Sequence, residues 1–333
     1  MNSNEIINEW VKFLSFKDVQ ATKKEGGINN SVFALETGQK KFIIKIYPKN
    51  RHGSLRRLKA ESEFLSYANS VCPEFTPKLI AVNQDMQSIL MEYCEGASIS
   101  DMTMIKENAI HTAVLFIEQL NNKREEDRNI ITQQATEGFQ RISEHVENVR
   151  LRLKTLNSSH ISKNLRGRSN SIIEKLHLTF NLTNEKVKKH LNNSDHLDRV
   201  LQESFFVSPG DFGFHNAVMR KNSIIFLDFE YSGWDDPAKI IIDFFLQPKV
   251  PISENKESFS KFVDVFTQYT EKQNLLERIR ILRPILCIKW MTIIVSFLNP
   301  ERKFVSKFND KNAEHQLETC EKFFIANEEN LYF

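Results

Sequence analysis

The sequence predicts an α+β protein of two lobes, a small five-stranded lobe with one main helix followed by a large, mostly helical one. At 333 residues the chain is longer than a single hydrophobic core usually serves. Short β-rich runs crowd the first 93 residues, and from Ile99 onward apolar residues recur at helical spacing, interrupted by one hairpin pattern at 208–230. Hydrophobic residues at 41% and charged residues at 26% are the proportions of an ordinary folded globular chain. The domains expected are 1–93, 94–328 and a short end piece, 329–333, whose Glu329-Asn-Leu-Tyr-Phe333 matches the start of a protease-recognition tag and is set apart from fold reasoning.

In chain order, residues 4–14 form an amphipathic helix with Ile6, Ile7, Trp10, Val11 and Leu14 on one side. Val19–Lys24, Val32–Thr37 and Lys41–Tyr47 are three strands, separated by Gly26-Gly27 and Gly38-Gln39. A helix runs from Ser54, a suitable N-cap, to about Asn69. Pro77–Val82 and Gln87–Tyr93 complete the five strands. Helices are expected near 106–122, 133–157, 169–191 and 194–203, then at 237–247, 254–273, 275–298 and 302–325. Lys123–Arg128 is a charged loop.

The chemistry concentrates in Ser208–Glu230, SPGDFGFHNAVMRKNSIIFLDFE. Asn216–Met219 and Ile224–Asp228 flank the polar turn Arg220-Lys-Asn-Ser223, which makes a β-hairpin. With Asn222 as its midpoint, Asn216 and Asp228 face each other at the open end, where paired Cβ atoms lie roughly 4.5–5.5 Å apart. Two oxygen donors at that spacing suit one Mg²⁺, which takes few protein ligands and completes its shell with water and phosphate oxygens. Asp211, upstream on the approach loop, is left to meet a substrate hydroxyl. A plain hairpin with solvated carboxylates is the alternative.

The pattern D-x-x-x-x-N, a short hairpin, then D-F-E resembles the catalytic loop of the aminoglycoside phosphotransferase and choline kinase family, a branch of the protein-kinase-like fold. Five strands with one helix after the third is the order of a kinase-like small lobe. The resemblance implies that Asp211 is the catalytic base, that Asn216 and Asp228 hold Mg²⁺, and that ATP or GTP is the phosphoryl donor. Pro209 stands where the family carries His, a residue that braces the loop in relatives. Asp236-Pro237 and Asp243-Phe244 loosely match a later element, in which Asp243 would brace the catalytic loop through its backbone N–H groups while Asp235 and Asp236 cap a helix.

On the nucleotide side, Lys45 lies mid-strand among apolar residues and by itself is an outward-facing charge as readily as a ligand. Glu61 changes that reading. At about 100° per residue Leu58, Glu61, Leu65 and Ala68 share one helix face, so Glu61 falls on the apolar stripe and Glu63 points to solvent. A carboxylate there needs a cation, and Lys45 is the nearest candidate. The pair resembles the Lys–Glu pair that holds nucleotide phosphates in kinases. Gly26, Gly27, Asn29, Asn30 and Ser31 form the turn where phosphates would lie, although a G-G turn is also an ordinary hairpin connection. Met91, Glu92 and Cys94, just before Gly96, resemble the hinge that borders the adenine edge.

No A-P-E element follows Asp228, so the platform on which a protein kinase seats a peptide is not expected. The acceptor is then a small hydroxylated molecule, sugar-like or aminoglycoside-like, with Phe214, Tyr231 and Trp234 as aromatic candidates beside it and Glu230 or Asp235 as carboxylates for an amine. A catalytically weak kinase-like binding module and a protein or lipid kinase are the alternatives. A net charge of +2 and basic runs without interleaved aromatics give no nucleic-acid signal. The scattered Cys72, Cys94, Cys287 and Cys320 lack metal-ligand spacing and suit reduced thiols in a cytoplasm. The polar Met1–Glu5 opens no signal peptide, and Ile279–Leu298 is broken by charges and Pro284, so no membrane partner is expected.

Overall fold

The computed structural model describes all residues except 16–17, 25–28, 39, 100–106, 123–128, 193–197, 201–203, 221–222, 253–255, 269, 303–308 and 332–333. Gly26, Gly27, the Lys123–Arg128 loop and most of the helix expected at 194–203 therefore lie outside the described residues. The chain divides into two compact units. One comprises residues 1–136 and 206–235, the other 137–205 and 236–333.

The first unit is built on a five-stranded antiparallel sheet of order β1-β2-β3-β5-β4, from β1 (Gln20–Lys24), β2 (Ser31–Thr37), β3 (Lys40–Ile46), β4 (Leu79–Asn83) and β5 (Ser88–Glu92). Helix α1 (Ser3–Leu14) opens with a reciprocal cap in which Asn2 and Glu5 each accept the other's backbone N–H. It lays Ile6, Ile7 and Trp10 on the sheet face formed by Phe33, Leu35, Ile44, Ile46 and Leu90, and Trp10 Nε1 donates to Ser88 Oγ at 3.0 Å. Because side chains alternate along a strand, Lys45 points away from this apolar face.

Helix α2 (Ser54–Val71) enters between β3 and β4, the order expected from the sequence. Its start differs. Gly53 occupies the cap position at φ +74°, and Ser54 is the first helical residue, with its hydroxyl donating to the Pro48 carbonyl at 2.7 Å. Glu63 also departs from its expected solvated position, since its carboxylate accepts the Thr132 N–H at 3.0 Å and the Thr132 hydroxyl at 2.9 Å.

After β5, the two-residue strand β6 (Ala97–Ser98) pairs with the first strand of the hairpin, and α3 (Glu107–Asn121) follows. The stretch 133–136 is not helical, contrary to the periodicity reading. Its main chain is taken up by the segment after the hairpin, with Ala135 N–H donating to Trp234 O and Thr136 N–H to Tyr231 O, each at 2.9 Å. Strand β7 (Phe206–Ser208) pairs with β10 (Gly233–Asp235), and the hairpin itself is β8 (Ala217–Arg220) and β9 (Ser223–Phe226).

The second unit is helical: α4 (Ile142–Lys154), α5 (Lys163–Asn192), α6 (Pro237–Phe245), α7 (Lys256–Phe266), α8 (Lys272–Ile294) and α9 (Asp310–Ala326). Helix α8 runs through Pro284 and is buried along most of its length. Asp236 caps α6 by accepting the Ala238 N–H at 2.8 Å and also takes Arg278 Nε at 2.7 Å. Asp243 does not do what the family pattern implied. Its oxygens accept from Lys289 Nζ at 2.7 and 2.9 Å and from Trp290 Nε1 at 2.9 Å, and Lys239 lies at 3.3 Å. Those ammoniums outweigh the burial that opposes its charge and hold the Asp243 carboxyl down at about 2. Beyond α9, Leu331 is buried, and Arg283 Nη1 donates to Asn330 Oδ1 at 3.3 Å. Among the described residues no helix is long and apolar enough to cross a membrane.

Candidate active site

Every described residue of the site lies in the first unit, and three elements bring its charged groups together. Lys45, from β3, places Nζ 2.6 Å from Glu61 Oε2 on α2 and 2.5 Å from Asp228 Oδ1 after β9. The Lys45 and Glu61 side chains are 7% and 2% exposed, whereas Asp228 is 47% exposed. Burial opposes the charge on Lys45, but Asp228 and Glu61 more than offset it and hold the ammonium above its ordinary range. Burial lifts the Glu61 carboxyl, with Lys45 pulling against it. Tyr47, two residues beyond Lys45 and so on the same face of the strand, donates its hydroxyl to Glu61 as well.

The hairpin differs from its expected register by one residue. Ala217 pairs with Phe226 and Arg220 with Ser223, and the expected midpoint Asn222 lies outside the described residues. Asn216 therefore stands opposite Leu227, whose N–H donates to the Asn216 carbonyl at 2.7 Å, and not opposite Asp228. Asp228 has left the strand and holds φ at +64°, a conformation strained for most side chains but tolerated by Asp. That turn of the backbone carries its carboxylate to Lys45. Asn216 closes a short 3-10 turn, Phe214–Asn216, and its Nδ2 donates to the Asp211 main-chain carbonyl at 3.0 Å.

The approach to Asp211 is held by close main-chain packing. Gly210 has φ +86°, and a Cβ there would lie 2.4 Å from the Tyr231 carbonyl carbon. Its N–H donates to Ser208 Oγ at 3.1 Å. Upstream, the buried Asn121 side chain accepts the Val207 N–H at 2.8 Å and donates to the Val207 carbonyl at 3.1 Å, which fixes β7. Downstream, Phe229 stacks on Phe64 with centroids 4.4 Å apart, and the Ser232 hydroxyl donates to the Ala60 carbonyl at 3.0 Å. Asp211 and Asp228 are thereby anchored to the same framework as Glu61.

Sequence reading missed His215 and expected another role for Glu230. Glu230 is buried, not available to a solvent-borne amine. It accepts from Asn29 Nδ2 at 3.1 Å and from Asn30 Nδ2, and Arg57 Nε lies 3.7 Å away. Asn29 Nδ2 also lies 2.5 Å from the Tyr231 hydroxyl. The two amides expected to face phosphates thus face the D-F-E segment, and Ser31 begins β2 opposite Ile46. Phe214 and Trp234 belong to the core, Trp234 with its Nε1 on the Ile131 carbonyl at 2.8 Å, so Tyr231 is the one candidate aromatic that is not fully buried. His215 adjoins Asn216 in the loop and could have been noticed on that ground alone.

At the far end of β5, Met91 is buried and pairs with Ile43, Glu92 ends the strand, and Cys94 follows it. Burial, with Glu92 beside it, pushes the Cys94 thiol up to about 11. Gly96 lies so close to the hairpin that a Cβ would meet the Met219 carbonyl oxygen at 2.6 Å. The exit from β5 is therefore stitched directly to β8.

The donor chemistry fits a hard divalent cation. Asp228 is accessible, the Asn216 amide keeps its oxygen after Nδ2 is used on Asp211, and carboxylate and amide oxygens are the ligands such an ion takes. Glu61, Asp228 and Glu230 also outnumber Lys45 and Arg57, the cations paired with them.

The fold and this arrangement define a protein-kinase-like α+β architecture. No family model matches the sequence, and no curated protein matches it. Solved structures do. Choline kinase from Cryptosporidium parvum Iowa II aligns with TM-score 0.60 and 12% identity over 98% of this chain and 97% of that one. A spectinomycin phosphotransferase solved with ADP and its antibiotic aligns with TM-score 0.61 and 12% identity over 97% and 98%. Choline kinase from Streptococcus pneumoniae aligns with TM-score 0.56 and 13% identity over 97% and 99%. The likeness is one of fold, extends over almost the whole length, and agrees with the family resemblance carried by the catalytic-loop motif.

Proposed function

We propose that this protein is a Mg-dependent phosphotransferase that moves the γ-phosphoryl group of ATP to a hydroxyl of a small molecule, sugar-like or aminoglycoside-like. The observation that carries the reading is the meeting of Lys45, Glu61 and Asp228 around one ammonium, with Asp211 and Asn216 on the adjoining loop. ADP in the spectinomycin phosphotransferase of the same fold favours adenine as the base. Residues 1–93 are the nucleotide lobe on this reading and 94–328 the acceptor lobe.

Phosphoryl transfer asks a protein for positioning and charge neutralisation more than for covalent chemistry. Lys45, kept in place by Glu61 and Tyr47, neutralises phosphate oxygens. Asn29 and Asn30 tie the approach to β2 to Glu230 beside the site, and Met91, Glu92 and Cys94 border the adenine. Asp228 and Asn216 hold Mg²⁺, whose charge offsets that of the phosphates. Asp211 accepts the proton of the acceptor hydroxyl as its oxygen bonds to the γ-phosphorus and the bond to the bridging oxygen breaks, releasing ADP. General-base help of this kind is worth roughly 10²–10⁴-fold.

The test is ADP release by the purified chain with Mg-ATP over a panel of aminoglycosides, simple sugars, choline and ethanolamine. Acceptor-dependent ADP formation supports the proposal. Nucleotide binding without turnover for any acceptor would identify a binding module, and label transfer to peptide or lipid alone would move the acceptor class.

A further inference from the structure

Asp211 carries a second tie that the proposed chemistry does not use. His215 places Nε2 3.1 Å from Asp211 Oδ2, and the His215 side chain is 3% exposed. The contact is made across the loop, which passes through Gly213 and turns at Phe214–Asn216, with Phe214 fully buried as its anchor. Two neighbouring residues thus grip Asp211. Asn216 Nδ2 takes its main-chain carbonyl at 3.0 Å and reaches Oδ2 only at a long 3.4 Å, whereas His215 Nε2 holds Oδ2 at 3.1 Å. An ionised carboxylate has acceptors only, so the imidazole presents Nε2–H to it. Pro209, two residues before Asp211, has neither an N–H nor a polar side chain to offer.

We propose that His215 is a positioning residue for the transfer, fixing Oδ2 of Asp211 so that Oδ1 is the oxygen that meets the acceptor hydroxyl. The inference rests on the reading of Asp211 as base. The terminal torsion of an aspartate is broad, so rotation about it sweeps both oxygens through the position the base must hold. A buried donor removes that freedom, and in a site of low polarity its hydrogen bond is stronger than it would be in water. Precise placement is where catalytic loops gain rate, and a misplacement near 1 Å costs on the order of 100-fold. His215 contributes nothing to nucleotide or acceptor affinity on this account, so its effect belongs in kcat.

The test compares His215→Ala, His215→Asn and His215→Gln, each alone, with His215→Ala also made in an Asp211→Asn background. A glutamine amide nitrogen reaches about as far as the imidazole Nε2, whereas an asparagine amide reaches only as far as Nδ1. Expected are a roughly 10- to 100-fold lower kcat for Ala and Asn with KM for the acceptor unchanged, recovery of most of the rate with Gln, and no further loss when Ala is added to Asp211→Asn. Thermal shift with Mg-ATP should match wild type in all single variants. A wild-type protein without acceptor-dependent ADP release would sink the phosphotransferase reading whatever His215 does. With wild type active, an unaltered kcat in the Ala variant, a Gln variant as slow as Ala, or an undiminished Ala effect on top of Asp211→Asn would each overturn the positioning role.

Discussion

Lys45 Nζ touches Asp228 Oδ1 at 2.5 Å, so the residue assigned to phosphate and the residue assigned to metal are paired with each other directly. Glu61 holds the same ammonium at 2.6 Å from within the helix. Mg²⁺ and Lys45 must then compete for Asp228. Removing the ammonium leaves Glu61 buried without its cation, a loss of about 3 kcal/mol or more. Lys45→Met should therefore lower the urea midpoint, and millimolar Mg²⁺ should restore more stability to this variant than to wild type. Equal Mg²⁺ responses in the two proteins would mean that Asp228 is not a cation ligand.

Asp211 and Asp228 should separate cleanly in kinetics. Asp211→Asn keeps the shape of the side chain but cannot take a proton, so turnover falls roughly 10²–10⁴-fold while Mg-nucleotide binding persists. Asp228→Ala removes a metal ligand and should lose the Mg-dependent part of nucleotide binding as well. Calorimetric titration with Mg-ATP checks the binding and ADP release checks the turnover. A variant Asp211→Asn as fast as wild type would remove the base from the mechanism.

Much of this is legible in the residues. The strand order with a helix after the third strand can be read because period-two runs and Gly turns are local signals. Glu61 can be read as buried because helical geometry puts it on the stripe of Leu58 and Leu65. What escapes such reading depends on conformation that no pattern encodes. The strands pair one residue out of the expected register, and the positive φ of Asp228 turns its carboxylate toward Lys45 instead. Asp243 departs from its expected role because its partners Lys239 and Lys289 come from a helical i,i+4 contact and from a helix 46 residues away. His215 offers only its place beside Asn216, and Glu230 reads as an exposed carboxylate, because the burial of both side chains is a tertiary fact.

Gly210 is a position where one methyl group should undo the loop. Its φ of +86° disfavours any side chain, and the Tyr231 carbonyl carbon and oxygen lie 2.4 and 2.6 Å from where a Cβ would sit. Both are main-chain atoms, so relief requires the loop and the segment after Asp228 to separate. Gly210→Ala should cost on the order of 1–3 kcal/mol from backbone strain alone and lower turnover by displacing Asp211. Gly167 provides the control, since nothing lies within 4 Å of the point its methyl group would occupy and Gly167→Ala, within α5, should be neutral or stabilising. Matching urea midpoints for the two variants would remove the close approach from the account.

Acid sensitivity should trace to one histidine of the helical unit. His145 is buried, its ring edge-on to Phe139 with centroids 5.0 Å apart. Burial first, and then Lys239, Arg278 and Lys289, hold its pKa well below the ordinary value against the opposing pull of Asp243. A histidine depressed in the folded state is protonated more readily in the unfolded chain. Its contribution is therefore fully present above about pH 6.5, the unfolded value, and is lost as pH falls below it, at up to about 1.4 kcal/mol per pH unit. Asp243, held at about 2, has its own window below roughly pH 4, so it does not overlap the first part of this fall. His145→Gln should flatten the decline in urea midpoint between about pH 6.5 and pH 5 relative to wild type. A wild-type decline that survives intact in the variant would place the acid-sensitive group elsewhere.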